Sequence, residues 1–467
     1  MMKSASARPD VAGRGQDDEE ALGDSDGSPR PGAGNDSGGG AGNDSGSDSG
    51  SDSGKGAHRR LNYLQRRRIR VKGRRRARRD KRMARKHFYG RHPIASGTLA
   101  AIVLLTPVWV SFGSALTDPT LGVTLPGRAA EWFRMHGLGG IVARIENYYY
   151  AHNPPPVGGK PPKGAIPPPT HTHQTSVAHA ALEPLPVPAG IKPIASPPIP
   201  GEGQWHPVGR KVDGSYAVYE AFLRPDSIHT SLVAGVAWMD MRLLRATLYS
   251  GSIIPGGGPY KYTAPVQPGP ARSLVAAFNA GFLMSNANGG YYTQGKVIDP
   301  LRAGAASVVI YKNGSVKIGA WGSGPGMAMS SNVVSVRQNL NLLVRNGRPI
   351  PGLNPYDNTV WGATLGGADD VWRSGLGQTA NGALVYVAGP GLNITSLANL
   401  LSRAGAVTGM ELDINTYWVD FATFSPSTPN GLASATNGRN MLSDMAGAPD
   451  RYFASWWARD FFTVSAR

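Results

Sequence analysis

The sequence predicts an α+β protein, with a large, curved, mostly antiparallel sheet and few helices in a C-terminal head. A single transmembrane helix and disordered segments precede this head. Three observations lead to this fold class. Short apolar runs separated by glycine-containing turns fill residues 204–467, an uncharged segment occupies residues 94–117, and much of the remainder is rich in Gly and Pro, of which the chain has 62 and 38.

The formal net charge of +17 is concentrated near the N-terminus. Residues 1–57 carry 5 Lys/Arg against 11 Asp/Glu, whereas residues 58–93 carry 17 against 1. Residues 1–57 offer almost no apolar side chains to bury and are predicted to be a disordered acidic Gly/Ser/Asp tail. Residues 58–93 are predicted to be a basic juxtamembrane arm that binds anionic lipid. Nucleic acid is the alternative partner, which we do not expect because aromatic residues are nearly absent there.

Residues 94–117 contain no charged side chain. A helix of this length reaches about 36 Å, enough to cross a hydrocarbon core of roughly 30 Å. A cleaved signal peptide is the alternative, but 93 residues would precede its apolar part. The basic arm lies before the span, so the N-terminus is expected in the cytoplasm and the C-terminal domain outside the cell membrane.

Two segments are predicted between the span and the head. Residues 118–152 hold apolar side chains at helical spacing, which indicates a short helical stalk. Residues 153–203 form a Pro-rich linker with 15 prolines. Such a segment adopts extended polyproline II, so it is expected to act as a semi-rigid spacer reaching on the order of 140 Å.

Residues 204–467 are expected to form the globular head. Its strands are predicted at 274–278, 307–311, 316–321, 340–344, 383–387 and 410–414. Asn-Gly pairs at 313–314 and 346–347 predict tight hairpin turns. One helix is predicted at 394–404, capped by Thr395 or Ser396 and ended by Gly405.

The run from Gly409 to Asn415 alternates polar and apolar residues. In a strand this places Glu411, Asp413 and Asn415 on one face. Two carboxylates at this spacing lie roughly 6–7 Å apart and repel each other unless a proton, a cation or a substrate intervenes. The pattern predicts an acid/base pair. No cofactor is required, and a divalent cation between the carboxylates stays open.

Polar and glycine residues at strand ends supply the candidate binding residues. Asn279 and Gly281 follow an apolar strand and suit a sugar or phosphate oxygen, with an Asx turn as the alternative. Tyr291 lies in a glycine-rich loop and suits stacking on a sugar ring, with core packing as the alternative. Arg302 and Arg373, the latter followed by Ser374, suit a phosphodiester because guanidinium offers a planar charged fork.

Other chemistries find little support in the sequence. The chain has no cysteine, which excludes disulfides and thiolate metal sites. Patterns typical of serine hydrolases, P-loop enzymes and zinc proteases are missing. Arg459 and Asp460, near the C-terminus, are interpreted as structural residues that pin the final strand.

In this order, several motifs resemble the phosphodiester glycosidase family, whose domain is shared with the mannose 6-phosphate uncovering enzyme. The resemblance covers residues 208–467. It rests on six stretches: 277–282, 289–295, 373–377, 379–386, 397–405 and 409–415. It implies cleavage of a sugar-1-phosphodiester, with Asn279, Arg373, Glu411 and Asp413 on motif positions.

The resemblance predicts a membrane-anchored extracytoplasmic hydrolase that cleaves a sugar-1-phosphodiester in a cell-envelope glycopolymer or glycoconjugate. Two departures from the family pattern motivate an alternative. Ala280 replaces a glycine, and Ile414-Asn415-Thr416-Tyr417 replaces a Gly-Gly-Gly-Ser run. The alternative is a non-catalytic cell-wall polysaccharide-binding or envelope scaffold protein on the same fold.

Overall fold

The structure is a computed structural model. It describes residues 68, 70–83, 93–117, 125–138, 141–142, 144–145, 154–168, 182–357, 360–362, 370–447, 449–455 and 457–467. The chain divides into two compact units, residues 1–97 and 98–467. The acidic tail predicted at 1–57 lies outside the described residues. In the first unit, residues 70–83 form an exposed helix, α1, which carries nine of the 17 basic residues of the arm.

Helix α2, Pro93–Thr117, matches the predicted span. Its residues Gly97–Thr117 are long and apolar enough to cross a membrane, with a mean hydropathy of 2.0. Helix α3, Leu125–Met135, folds back on the end of α2 within the second unit. Trp132 Nε1 donates to Ser111 Oγ at 3.0 Å, and Arg128 donates to the Leu116 carbonyl at 2.8 Å. Part of the predicted stalk is therefore a helix packed against α2.

The head contains eighteen strands in the described part of the chain. Their bounds are β1 His206–Val212, β2 Ser215–Leu223, β3 Ala234–Met239, β4 Leu244–Tyr249, β5 Leu274–Asn279, β6 Tyr291–Thr293, β7 Lys296–Asp299, β8 Ala306–Tyr311, β9 Val316–Ala320, β10 Val333–Gln338, β11 Leu342–Arg345, β12 Arg348–Pro349, β13 Val371–Thr379, β14 Leu384–Leu392, β15 Ala406–Glu411, β16 Phe421–Phe424, β17 Gly438–Asn440 and β18 Phe461–Ala466.

The strands form three sheets. An eight-stranded sheet has the order β1-β2-β3-β14-β13-β15-β11-β12, and two five-stranded sheets have the orders β7-β6-β10-β8-β9 and β17-β16-β5-β18-β4. The named strands pair antiparallel throughout, for example β13 with β14 and β15. The α+β class with a mostly antiparallel architecture and few helices is confirmed. The strands are divided over three sheets rather than joined in one large one.

Most predicted strands are observed, but the strand predicted at 410–414 is displaced. β15 spans Ala406–Glu411 and ends where the chain turns irregular, because Asp413 uses its carboxylate to accept the Ile414 and Asn415 N–H groups. The alternation from Gly409 to Asn415 therefore stops at Glu411. Both Asn-Gly turns form as expected, with Asn346 and Gly347 at positive φ of 52° and 75°.

The described part of the head has two α-helices, the short α4 at Pro268–Ala271 and α5 at Ile394–Arg403, and two 3₁₀ helices, at Ala435–Asn437 and Pro449–Phe453. Helix α5 was predicted, but its cap is Asn393 rather than Thr395 or Ser396. Asn393 Oδ1 accepts from the Ser396 N–H at 2.9 Å, and the Ser396 hydroxyl accepts in return from the Asn393 N–H at 3.0 Å. Gly405, at φ +94°, ends the helix as expected.

The Pro-rich segment is not an extended spacer over its described residues, 154–168 and 182–203. Ile166, Leu185 and Ile191 are buried in the head's two largest hydrophobic clusters. Arg224 on the head donates to Glu202 at 2.8 Å and to the Ala195 and Pro197 carbonyls at 2.8 and 2.7 Å. The prediction from proline content was wrong here because these few apolar residues find a hydrophobic surface to cover.

Candidate active site

Asn279 ends β5 in the interior between the sheets and is 5% exposed. Its Nδ2 donates to Ser374 Oγ at 3.1 Å, and its Oδ1 accepts from the Tyr386 hydroxyl at 2.8 Å. Three strands, β5, β13 and β14, thus supply these three polar side chains. The amide is held in one orientation, because its two ends contact different partners.

Ser374 connects Asn279 to the segment that follows β15. The Ser374 N–H donates to the Asp413 carbonyl at 2.8 Å, and the Leu412 N–H donates to the Ser374 carbonyl at 2.8 Å. The Asp413 N–H lies 3.2 Å from Ser374 Oγ and donates to it. These bonds extend the antiparallel pairing past the end of β15. They fix the backbone of Asp413 beside Asn279.

Asp413 is buried, with 2% of its surface exposed, and both of its carboxylate oxygens accept hydrogen bonds. Oδ1 accepts from the N–H groups of Ile414 and Asn415 at 2.8 and 3.0 Å, and Oδ2 accepts from Arg459 Nη2 at 2.6 Å. Burial raises the pKa of Asp413 to about 6, although Arg459 and the two N–H groups oppose that shift. Asn415 therefore contributes to the site by donating its backbone N–H to Asp413.

Glu411 has a different environment. Its Oε1 accepts from Arg373 Nη1 at 2.6 Å, and Arg373 Nε donates to the Leu392 carbonyl at 2.8 Å. Oε2 of Glu411 is buried and has no hydrogen-bond partner among the described residues. Burial raises the pKa of Glu411 to about 7, opposed mainly by Arg373. Both carboxylate oxygens of Asp413 thus accept hydrogen bonds, whereas Glu411 has one oxygen without a partner among the described residues.

Glu411 and Ser374 lie on opposite faces of the eight-stranded sheet. Glu411 pairs with Gly375, and a Cβ added at Gly375 would lie 3.1–3.2 Å from Leu401 and Leu397 of α5. Glu411 therefore points toward the face that α5 covers, since paired residues share a face. The neighbouring Ser374 points to the other face, toward Asn279.

Gly281 joins the site through its backbone. It has φ +156°, and a Cβ there would lie 3.2 Å from Arg337 and 3.3 Å from Asn339, so a side chain would crowd both. Its carbonyl accepts from Arg459 Nη2 at 2.8 Å. The predicted group Asn279, Gly281, Ser374 and Asp413 is therefore contiguous, with the pair of Arg373 and Glu411 adjacent along β13 and β15.

Two predicted binding residues lie elsewhere. The Arg302 side chain donates to Asn288, and only its backbone is tied to the site, through Gln338 Oε1 at 2.8 Å. Tyr291 is 0% exposed and lies in strand β6, so it presents no ring to a sugar. Its hydroxyl lies 3.3 Å from Ser250 Oγ, and burial raises its pKa well above the ordinary value. Tyr291 is therefore a core residue, which was the alternative to stacking on a sugar ring.

Several buried polar residues that organise the site were not singled out from the sequence. Arg337 and Asn339 flank Gln338 at the end of β10, and all three are 0% exposed. Arg337 Nε donates to Asp460 at 2.7 Å, and Asn339 Nδ2 donates to the Glu411 carbonyl at 2.8 Å. The sequence signal that could have identified them is the run of three polar residues, Arg337 to Asn339, at the end of a mostly apolar strand.

Arg459 was interpreted as a pin for the final strand, but it contacts Asp413 directly. Its guanidinium also lies 4.8 Å from the centre of the Trp418 ring. Among the described residues, no group of three or more His, Cys, Asp or Glu side chains could hold a metal ion.

Residues 272–413 match the sequence model of the phosphodiester glycosidase family. This confirms, over those residues, the resemblance inferred from the motifs. Asn279, Arg373, Ser374, Glu411 and Asp413 all lie inside the matched range, whereas Arg459 lies beyond it. No curated protein sequence matches the chain.

Solved structures show weak similarity. The catalytic domain of zebrafish N-acetylglucosamine-1-phosphodiester alpha-N-acetylglucosaminidase, described as auto-inhibited by its pro-peptide, is 15% identical with a TM-score of 0.35, covering 56% of this chain and 88% of that one. A hypothetical protein from Synechocystis is 12% identical with a TM-score of 0.29, covering 56% and 64%. A putative exported protein from Burkholderia pseudomallei is 13% identical with a TM-score of 0.23, covering 50% and 74%.

Proposed function

We propose that this chain, whose residues 272–413 match the phosphodiester glycosidase family, is a hydrolase that cleaves a sugar-1-phosphodiester. The family match carries the proposal. The arrangement of Asn279, Ser374 and Asp413 supports it, because the Asn279 amide and the Asp413 backbone N–H both donate to the Ser374 hydroxyl and form one buried hydrogen-bonded group. A sugar-1-phosphodiester offers oxygen acceptors and hydroxyl donors, which amide, hydroxyl and carboxylate groups recognise.

The two carboxylates have different roles in this proposal. Glu411 points toward the α5 face but lies near enough to Asp413 for their charges to interact. It keeps an unused oxygen, and its pKa of about 7 leaves it partly protonated near neutral pH, so we propose it as the proton-transfer group. Asp413 has both oxygens bound by donors and acts as a fixed negative charge. Such a charge stabilises the positive character that develops at the sugar carbon when the glycosidic bond breaks.

We further propose that the protein is anchored in the cell membrane by one span and that its head acts outside the cytoplasm, on an envelope glycopolymer or glycoconjugate. The apolar length of Gly97–Thr117 supports the span. The 17 basic residues at 58–93 support a cytoplasmic N-terminus, since cytoplasmic flanks carry the excess of Lys and Arg.

The test is turnover by the purified full-length chain in detergent on a panel of sugar-1-phosphodiesters, with and without a chelator. Release of free sugar together with a phosphomonoester is expected from at least one of them. A chain that binds none of the panel and releases no product would refute the proposal.

A second candidate function is binding of a wall polysaccharide without turnover, or a scaffold role on the same fold. One observation favours it: Glu411 and Asp413 are 0% and 2% exposed, and each is paired with an arginine. The panel separates the two candidates. Saturable binding of glycopolymer without product after long incubation supports the binding protein.

A further inference from the structure

The Arg459 guanidinium is buried between three parts of the head and is only partly used. The residue is 6% exposed. Nη2 donates to Asp413 Oδ2 at 2.6 Å and to the Gly281 carbonyl at 2.8 Å. Nε is buried and has no hydrogen-bond partner among the described residues. A buried N–H without an acceptor is destabilising, so this position is suited to an acceptor that a ligand brings.

The geometry of the guanidinium fixes where that acceptor would sit. The Nε–H and one Nη2–H point the same way and form the edge that a carboxylate or phosphate engages with two oxygens. Asp413 engages only Nη2, because its Oδ1 is already held by the Ile414 and Asn415 N–H groups. The Nε–H half of this edge is therefore left over, on the same guanidinium that binds Asp413.

The surroundings of Arg459 keep it rigid. The Trp418 ring lies 4.8 Å from the guanidinium carbon and covers one face. The Gly281 carbonyl holds the Nη2 end, and Gly281 itself has no room for a side chain beside Arg337 and Asn339. A donor held in this way needs no reorganisation when an anion binds, which favours affinity.

Arg451 provides an internal comparison, because it also has one buried N–H without a partner, at Nη2. That nitrogen is blocked. A Cβ added at Gly447 would lie 1.2 Å from it, so the backbone of Gly447 already fills the space. None of the described glycines, by contrast, has the Arg459 side chain among the atoms nearest to an added Cβ.

We propose that Arg459, through its Nε–H, binds an anionic oxygen of the phosphodiester next to Asp413. Arg459 would then have the phosphate-binding role that the sequence predicts for Arg302. The inference rests on the proposed function for the identity of the ligand. Arg459 is then a binding residue outside the range that matches the family, supplied by the C-terminal segment that leads into β18.

The test measures the affinity of inorganic phosphate for the full-length chain in detergent by isothermal titration, at constant ionic strength. Arg459→Lys keeps the positive charge for Asp413 but removes the Nε–H fork, and is expected to weaken phosphate binding roughly tenfold or more. Arg451→Lys is the matched control, since Arg451 is also buried, paired with an aspartate and stacked on a tryptophan. It is expected to stay within about twofold of the wild-type affinity.

Equal affinity of wild type and Arg459→Lys, or an equal loss in both lysine variants, would overturn the inference. If Arg459→Lys does not fold, wild-type crystals soaked in tungstate decide. A metal-oxyanion peak within hydrogen-bonding distance of Arg459 Nε supports the site, and a peak elsewhere refutes it. Phosphate binding through Arg459 with no turnover of the panel would refute the hydrolase alone. Turnover with an unchanged KM in Arg459→Lys would refute the phosphate site alone.

Discussion

The head contains two small units of three side chains each, distinct from the two parts into which the whole chain divides. They consist of the same residue types but differ in which hydrogen-bonding groups are left without a partner. In each, a buried arginine pairs with an aspartate and stacks on a tryptophan. The first joins Arg459 to Asp413 and Trp418, and the second joins Arg451 to Asp420 and Trp457. The two tryptophan rings lie 5.4 Å apart, so the units are neighbours.

The aspartates are held by different groups. Asp420 accepts from the side chains of Arg451 and Tyr452, the latter at 2.7 Å. Its carbonyl accepts from the Tyr386 hydroxyl at 3.0 Å, and Tyr386 also orients Asn279. Asp413 instead shares its oxygens between one side chain and two backbone N–H groups, and the buried Nε–H of its arginine has no hydrogen-bond partner among the described residues. If Arg459 binds the substrate as proposed, the same three residue types serve as scaffold in one place and as a binding position in the other.

The largest expected effect separates the two aspartates. Replacing Asp413 or Asp420 by Asn leaves a buried arginine without its counter-charge, so both variants should lose about 3–5 kcal/mol of stability. Only Asp413→Asn should also lower turnover of the folded enzyme, by roughly 10²–10⁴-fold, because only Asp413 is proposed to face the sugar. Denaturant unfolding and kcat per folded protein measure the two effects.

Asp420→Asn is the control in that experiment. A similar loss of kcat in both variants would show that the second unit takes part in the chemistry, and the distinction between them would fail.

The next effect is a pH dependence of stability set by the site. Burial raises the pKa of Glu411 from 4.5 to about 7 and that of Asp413 from 3.8 to about 6. The folded protein thus holds protons that the unfolded chain has released. Stability from these groups is fully present below about pH 4 and is lost as pH rises through 6–7. In Glu411→Gln this loss should shrink by on the order of 3 kcal/mol.

The measurement is the free energy of unfolding of both proteins from pH 4 to pH 8. Glu220 is also buried with a pKa raised to about 7, but it is present in both proteins and cancels in their difference. Parallel curves for wild type and Glu411→Gln would mean that Glu411 is ionised throughout, against the role proposed for it.

Local patterns predicted much of the fold and part of the site. Strand alternation and Asn-Gly turns identified most of the strands and both hairpins, because these signals depend on neighbours in sequence. Asn279 was singled out as a polar residue that closes an apolar run, and Asp413 as a carboxylate in an alternating run. The end of β15 was missed because Asp413 bonds its own following N–H groups, which competes with strand pairing.

The remainder depends on contacts between distant parts of the chain. Arg459 reaches Asp413 across 46 positions, and Tyr386 reaches Asn279 across 107. Neither pairing has a local signal, so the sequence indicates a structural role for Arg459 and does not single out Tyr386 as a site residue. The Pro-rich segment was misjudged likewise, because the surface that buries Ile166 and Leu185 is formed by residues far along the chain.

A smaller effect tests whether Tyr386, which also donates to the Asp420 carbonyl, positions Asn279. Tyr386→Phe removes the hydroxyl that lies 2.8 Å from Asn279 Oδ1, leaving that oxygen with the Asp420 N–H at 3.4 Å. A lost hydrogen bond of this kind is worth about 1–2 kcal/mol, so kcat should fall roughly 5–30-fold with little change in the phosphate affinity. An unchanged kcat would show that Asn279 needs no support from Tyr386.

The smallest effect concerns the two tryptophans. A tryptophan face near a guanidinium contributes about 0.5–2 kcal/mol, more where water is excluded. Trp418→Leu uncovers the face of Arg459, so the phosphate affinity should weaken by roughly 3–30-fold, measured by isothermal titration. Trp457→Leu is the matched control, since it uncovers Arg451 in the same way, and its phosphate affinity should stay within about twofold of wild type.

Both tryptophan variants remove one ring of the pair whose centres lie 5.4 Å apart, so any effect of that ring contact is common to them. The difference in affinity between them therefore isolates the stacking of Trp418 on Arg459. An equal loss of phosphate affinity in both variants would mean that the two indoles act together and that the two units of side chains cannot be separated functionally. A loss in Trp418→Leu alone would leave the second unit as scaffold, because its arginine is stacked at 4.4 Å and yet serves no ligand.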